Sequence, residues 1–173
     1  MASRVSETVG ARHMRAAHDI HAETNPAYCA MVLAHFCEAY RQHQVQGHAP
    51  VAAAVYLALP LVLSEDLATA FDGCNKNTGL LVWMDRSPRV LMGLSQRVNT
   101  TLTVSTEAIR FGCIAGMMRI NHVGEIESLE RKVPAAVSGG VAEGPLKRAR
   151  LLGIWFAGAG SARAVMEALG LSV

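Results

Sequence analysis

The apolar positions of this chain fall into short blocks separated by polar stops. The first block opens at Asn25-Pro26. Thr24 or Asn25 can cap a helix there, and Pro26 suits the first turn, where its missing N–H is not needed. Cys29, Val32, Leu33, Phe36, Cys37 and Tyr40 then recur at three- and four-residue steps, the signature of one helical face. The chain turns polar from Arg41 to Gln46, and Gly47 ends the helix. Residues 49–63 are apolar on all sides, which predicts burial all round. They read as a central helix, or as a short helix and an extended piece, ended or bent by Pro60. Ser64-Glu65-Asp66 opens a further helix through Leu67 and Phe71, and residues 73–79 form a loop.

Thr78 is placed to cap a short helix over 79–86 that carries Leu80, Leu81, Val82 and Trp83. Ser87-Pro88 opens the next, with Val90, Leu91, Leu94 and Val98 in register, and Asn99-Thr100-Thr101 breaks it. A longer helix is predicted from Leu102 to Met118, with Val104, Ala108, Phe111, Ile114 or Ala115, and Met118 inward. After Arg119 the period shortens to that of a small hairpin, turning at Val123-Gly124 and packed through Ile120, Ile126 and Leu129. A loop rich in Pro, Gly, Ala and Ser covers 133–145. An amphipathic helix follows over 147–157, and Ser161 opens a short terminal helix.

The predicted fold is mostly α. A polar leader over 1–23, itself partly helical, precedes a single compact helical domain over 24–173. That domain contains a winged helix-turn-helix-like unit at about 78–131, three helices plus a small β-hairpin, with a C-terminal helical extension.

Composition adds a partner to this picture. Of 173 residues, 51% are apolar and only 17% charged, against roughly a quarter charged in soluble domains. That is ample for a core but short of charge to cover a whole surface, so another subunit is expected to bury part of it. A net charge of +2 is neutral on DNA binding, and 5% aromatics argue against a stacking platform for single strands. The first twenty residues hold no apolar signal core, and residues 49–63 are too short and too interrupted to span a bilayer. Cys29, Cys37, Cys74 and Cys113 form no CxxC pair, the pattern of reduced thiols in a cytoplasmic chain.

Catalytic templates are missing. Residues 139–147 read GGVAEGPLK, but Pro145 stands where a phosphate loop needs its lysine, and no Ser or Thr follows Lys147. There is no HExxH, GxSxG or GxGxxG after a strand. Cys29 and Cys37 lie two helical turns apart, about 12 Å, too far for a disulfide or a shared metal. His35 is two residues from Cys37 and points elsewhere on the helix. His13, His18 and His21 have no partner at ligand spacing. No catalytic residue, cofactor or metal ligand is expected. Trp83, Leu152, Trp155 and Phe156 are the candidate interface or core anchors. Arg131, Lys132, Lys147, Arg148 and Arg150 are candidate contacts for phosphate or an acidic partner, with Arg163 a further basic position.

Five segments in order, NPAYCAMVLAHFCEAY, LALPLVLSEDL, TGLLVWMDRSPRVLMGLSQRV, STEAIRFGCIAGMMRI and ARLLGIWFAGAGSARAVMEALGL, resemble the middle component of bacterial three-component ABC systems. The resemblance runs from about Asn25 to Leu171. Residues 139–144 give no matching signal, and the leader looks particular to this chain. The resemblance implies a non-catalytic adaptor that binds an SMC-like ABC ATPase with a long coiled coil and links it to a third component in anti-phage defence. It leaves room for a homodimer, for nucleic acid contact through the complex, and for no membrane. A winged-helix DNA-binding transcriptional regulator is the alternative reading, although Thr103, Thr106, Glu107 and Arg110 make a poor set of base readers.

Overall fold

Helix α1 (Pro26–His43) begins where the Asn25 side chain accepts hydrogen bonds from the backbone N–H of Ala27 (2.9 Å) and Tyr28 (3.4 Å). The computed structural model describes residues 25–129 and 143–171. The predicted leader, with its three histidines, lies outside them, as does most of the loop predicted before the C-terminal helices. Only one face of α1 was expected inward. Instead Ala30, Met31, Ala34 and Ala39 are buried as well, so α1 is a central helix.

The apolar run from Ala49 forms two short helices, α2 (Ala52–Tyr56) and α3 (Ala58–Val62), and its extended piece precedes them, with Val51 bridged to Glu125. Pro60 sits inside the first turn of α3, where it needs no N–H. It cannot bond back to the carbonyl of Tyr56, so the bend falls before it, at Leu57. Next come α4 (Glu65–Ala68), a 3-10 turn over Thr69–Phe71, and α5 (Leu80–Arg86). Thr78 does not cap α5. Its hydroxyl accepts from the Asn75 N–H at 3.0 Å and closes the preceding loop.

The largest departure from expectation concerns the winged-helix order. Ser87-Pro88 opens only a 3-10 turn (Pro88–Val90), and one continuous helix, α6 (Leu94–Ile114), replaces the two expected around Asn99–Thr101. The threonines do not break it because their hydroxyls turn back on its own carbonyls: Thr100 donates to Gln96 (3.1 Å) and Thr101 to Arg97 (2.9 Å). Gly93, at φ +67°, makes the left-handed turn that admits the chain to α6. The inward face is also shifted. Ser105, Ala108, Ile109 and Gly112 are buried, whereas Phe111 is 40% and Ile114 86% exposed. Gly112 leaves room for the Met118 side chain: a Cβ there would lie under 3.0 Å from the Met118 Cε, and in ordinary contact, 3.5 Å, with the Cβ of Ala30 on α1.

The hairpin forms as predicted, with β1 (Met118–Ile120) antiparallel to β2 (Ile126–Ser128). Asn121 shapes its turn by accepting from the N–H groups of Val123 (3.1 Å) and Glu125 (3.0 Å). Ile126 also donates its N–H to the Pro50 carbonyl at 2.8 Å, so β2 is flanked on both sides and β1 is the edge. Met118 and Ile126 are therefore the buried residues, and the expected packers Ile120 and Leu129 are about half exposed.

Helix α7 (Glu143–Gly158) starts before the predicted Lys147, with Pro145 in its first turn. It packs along α1, and Phe36 meets Phe156 edge to face at 5.5 Å. Gly153 makes this approach possible: a Cβ there would lie under 3.0 Å from the Phe36 carbonyl oxygen. Ser161 caps the last helix, α8 (Ala162–Ala168), by accepting from the Ala164 N–H at 3.1 Å. The described chain is thus mostly helical with a small two-stranded sheet, built around α1 between α6 and α7.

Candidate interaction surface

The four predicted anchors all enter the core. Trp83, Leu152 and Phe156 are fully buried and Trp155 is 2% exposed. Trp83 and Trp155 lie 5.4 Å apart, and Phe71 packs on both, at 4.8 Å from Trp83 and stacked 5.8 Å from Trp155. Each indole N–H is satisfied by a backbone carbonyl, Ala70 for Trp83 (2.9 Å) and Asn75 for Trp155 (3.0 Å). Burying side chains of this kind contributes about 1.5–3 kcal/mol apiece, so they stabilise α5 and α7 against the 70–75 segment.

The basic candidates are dispersed. Lys147 pairs with Glu143 at 2.8 Å, and Arg163 with Glu167 at 2.7 Å. Arg148 donates to the carbonyl of Val62 at 2.9 Å and so holds the end of α3. Arg150 stands exposed on α7. Arg131 and Lys132 lie outside the described residues. On α6, Arg110 pairs with Glu107, and Arg97 grips Asp66 of α4 with two hydrogen bonds, at 2.9 and 2.8 Å. The Arg97 hydrogen bonds hold the Asp66 carboxyl below its usual range.

Cys29 and Cys37 are fully buried and are not in a disulfide. Burial first, and the Glu38 carboxylate second, push the Cys37 thiol well above its ordinary range, the opposite of nucleophile activation. Burial and then Arg150 hold the His35 imidazole below its usual value. Among the described residues, no group of three or more His, Cys, Asp or Glu side chains is placed to hold a metal ion. No single described helix is long and apolar enough to cross a membrane.

Among the described residues, an apolar groove of about 510 Å³ lies open to solvent between α5, α7 and α8. Leu81 (69% exposed) and Val82 (44%) form one wall. Ile154, Gly158, Ala159, Ala164 and Ala168 line the α7–α8 side, with Trp155 beneath, and Lys76 and His43 also border it. The His43 Nδ1 donates to the Ala39 carbonyl at 2.9 Å, which can only accept, so Nε2 is the nitrogen without a partner among the described residues. Of the anchors chosen from sequence, only Trp155 borders this groove. The signal was there in Leu80-Leu81-Val82-Trp83: a single helical turn cannot bury four consecutive apolar residues against one core.

A family-wide match decides where the chain belongs. The family described as ABC-three component (ABC-3C) system Middle Component 3 matches residues 15–173. The chain belongs to this family. No curated protein and no solved structure matches it. The Middle Component 3 match includes residues 139–144 and begins ten residues before Asn25, so the end of the leader belongs to the family's pattern and is not particular to this chain. As a component of a multi-component system, a Middle Component 3 chain has other components to meet, and the groove is apolar surface that its own described residues leave open.

Proposed function

We propose that this Middle Component 3 chain is a non-catalytic, cytoplasmic adaptor that binds an SMC-like ABC ATPase and links it to a third component in anti-phage defence. Family membership supports a place in such a system. The observation that carries the adaptor role is apolar surface left over after both tryptophans are used internally: Leu81, Val82 and the groove they wall. The thiols of α1 are packed as core, which fits a chain whose work is contact.

The DNA-regulator reading has less support. The Thr100, Thr101 and Thr106 hydroxyls are turned onto the backbone of α6, and Arg97 and Arg110 are paired with carboxylates. Of the base readers named from the sequence, Thr106 is thus turned onto its own helix, and Arg110 and Glu107 pair with each other.

Co-expression with the ATPase and third component of the same system tests the proposal. The expected result is a complex of fixed stoichiometry whose ATP turnover depends on this chain, while the chain alone hydrolyses none. A stable monomer indifferent to both components would overturn it. Steeply salt-dependent binding to duplex DNA by the chain alone would favour the regulator instead.

A further inference from the structure

The groove between α5, α7 and α8 has a chemistry that selects its occupant, and this inference rests on the adaptor reading. Its wall and floor are apolar, from Leu80, Leu81, Val82, Ile154 and Ala159. Gly158, Ala164 and Ala168 give it small residues where a second backbone can come close. A Cβ on Gly158 would meet nothing within 4 Å. Of its lining residues, one is a charged lysine, Lys76, one is His43, and none is acidic. Lys76 is exposed at the border of the groove, and its ammonium has no ion-pair partner among the described residues. An apolar trough bordered by an unpaired cation complements an amphipathic helix that carries a carboxylate beside its apolar stripe.

We infer that this groove receives an amphipathic, acidic-flanked helix from another component of the system, with its apolar stripe against Leu81, Val82 and Gly158 and its carboxylate paired with Lys76. The Nε2 of His43 offers that helix a further polar contact. Small residues in the floor set the specificity, because a larger side chain there would hold the incoming helix away.

The test measures affinity for the co-purified ATPase and third component. Leu81→Asp and Gly158→Leu alter exposed positions and are expected to weaken binding to one of the two at least tenfold, with far-ultraviolet circular dichroism and melting unchanged. Lys76→Glu is expected to weaken it several-fold and to lower its salt dependence, and Lys76→Arg to restore it. Ile114→Asp, an exposed apolar position on α6, serves as the control and should bind as the unaltered chain does. A photo-cross-linking residue at position 81 should label an acidic-flanked helix of that component.

Unaltered binding by the Leu81 and Gly158 variants would overturn the groove while leaving the adaptor reading intact. Failure of the unaltered chain to bind either component would overturn both. Full binding by Lys76→Glu would overturn the carboxylate pairing. Cross-linking to a second copy of the chain, to its own residues 1–24, or to a co-purifying small molecule would overturn the assignment of the occupant.

Discussion

Trp83 and Trp155 lie 72 positions apart in the sequence and hold one short segment between them, their N–H groups bonded to the carbonyls of Ala70 and Asn75. Each indole thus has two tasks, filling the core and satisfying a backbone acceptor. Trp155→Phe keeps most of the volume but leaves the Asn75 carbonyl without its donor. It is expected to cost about 1–3 kcal/mol, whereas Trp155→Ala also opens a cavity and should cost about 3–5 kcal/mol. Thermal melts followed by near-ultraviolet circular dichroism check the order, and a Phe variant as damaging as the Ala variant would contradict it.

Gly153 and Gly158 lie on the same helix and should respond oppositely to alanine. Ala has a helix propensity better than Gly by about 1 kcal/mol. At Gly158 the added Cβ meets open space, so Gly158→Ala is expected to be neutral or stabilising. At Gly153 the Cβ meets backbone of α1 that cannot turn away, so Gly153→Ala should lower the melting temperature by several degrees despite the propensity gain. Paired melts of the two variants decide it.

The hairpin should loosen in acid. Burial alone would raise the Glu125 carboxyl, but hydrogen bonds from Asn121 and His48 and the His48 charge outweigh it and leave the carboxyl lowered. Hydrogen bonds from Arg119 and then Asn121 lower the Glu127 carboxyl. Groups lowered in the folded state contribute stability that is present above their ordinary value of 4.5 and is lost as pH falls below it through the folded values. Amide exchange at Ile126 and Leu129 should therefore speed up below about pH 4.5 after correction for intrinsic rates, and Glu125→Gln with Glu127→Gln should flatten that dependence.

The four thiols should separate into two classes. Cys29 and Cys37 are fully buried, and Cys74 and Cys113 are partly accessible. Alkylation of the native chain, read by mass spectrometry, is expected to label Cys74 and Cys113 first and Cys29 and Cys37 only on global opening. Cys29→Ala and Cys37→Ala should cost about 1–2 kcal/mol as small cavities and leave binding to the other components intact. Rapid native labelling of Cys37 would contradict its place in the core.

Local chemistry was enough to set several elements of this protein. Asn25-Pro26 fixed the start of α1 because cap and first-turn proline act within one turn, Ser161 did the same for α8, and Val123-Gly124 placed the hairpin turn. The five ordered segments were enough to reveal the family. Tertiary structure decided what lies between and against these elements. Polar Asn99–Thr101 looked like a break, yet packing along α1 carries α6 through it, and the threonine hydroxyls find acceptors in the helix itself. Phe111 and Ile114 looked like part of the inward face with Ala108, but of these three only Ala108 is buried, joined by Ser105, Ile109 and Gly112. The division of apolar residues between core and groove is likewise a property of the assembled fold. Trp83 and Leu81 are both apolar positions in the sequence, and the direction each takes from α5 places one in the core and the other on the groove wall.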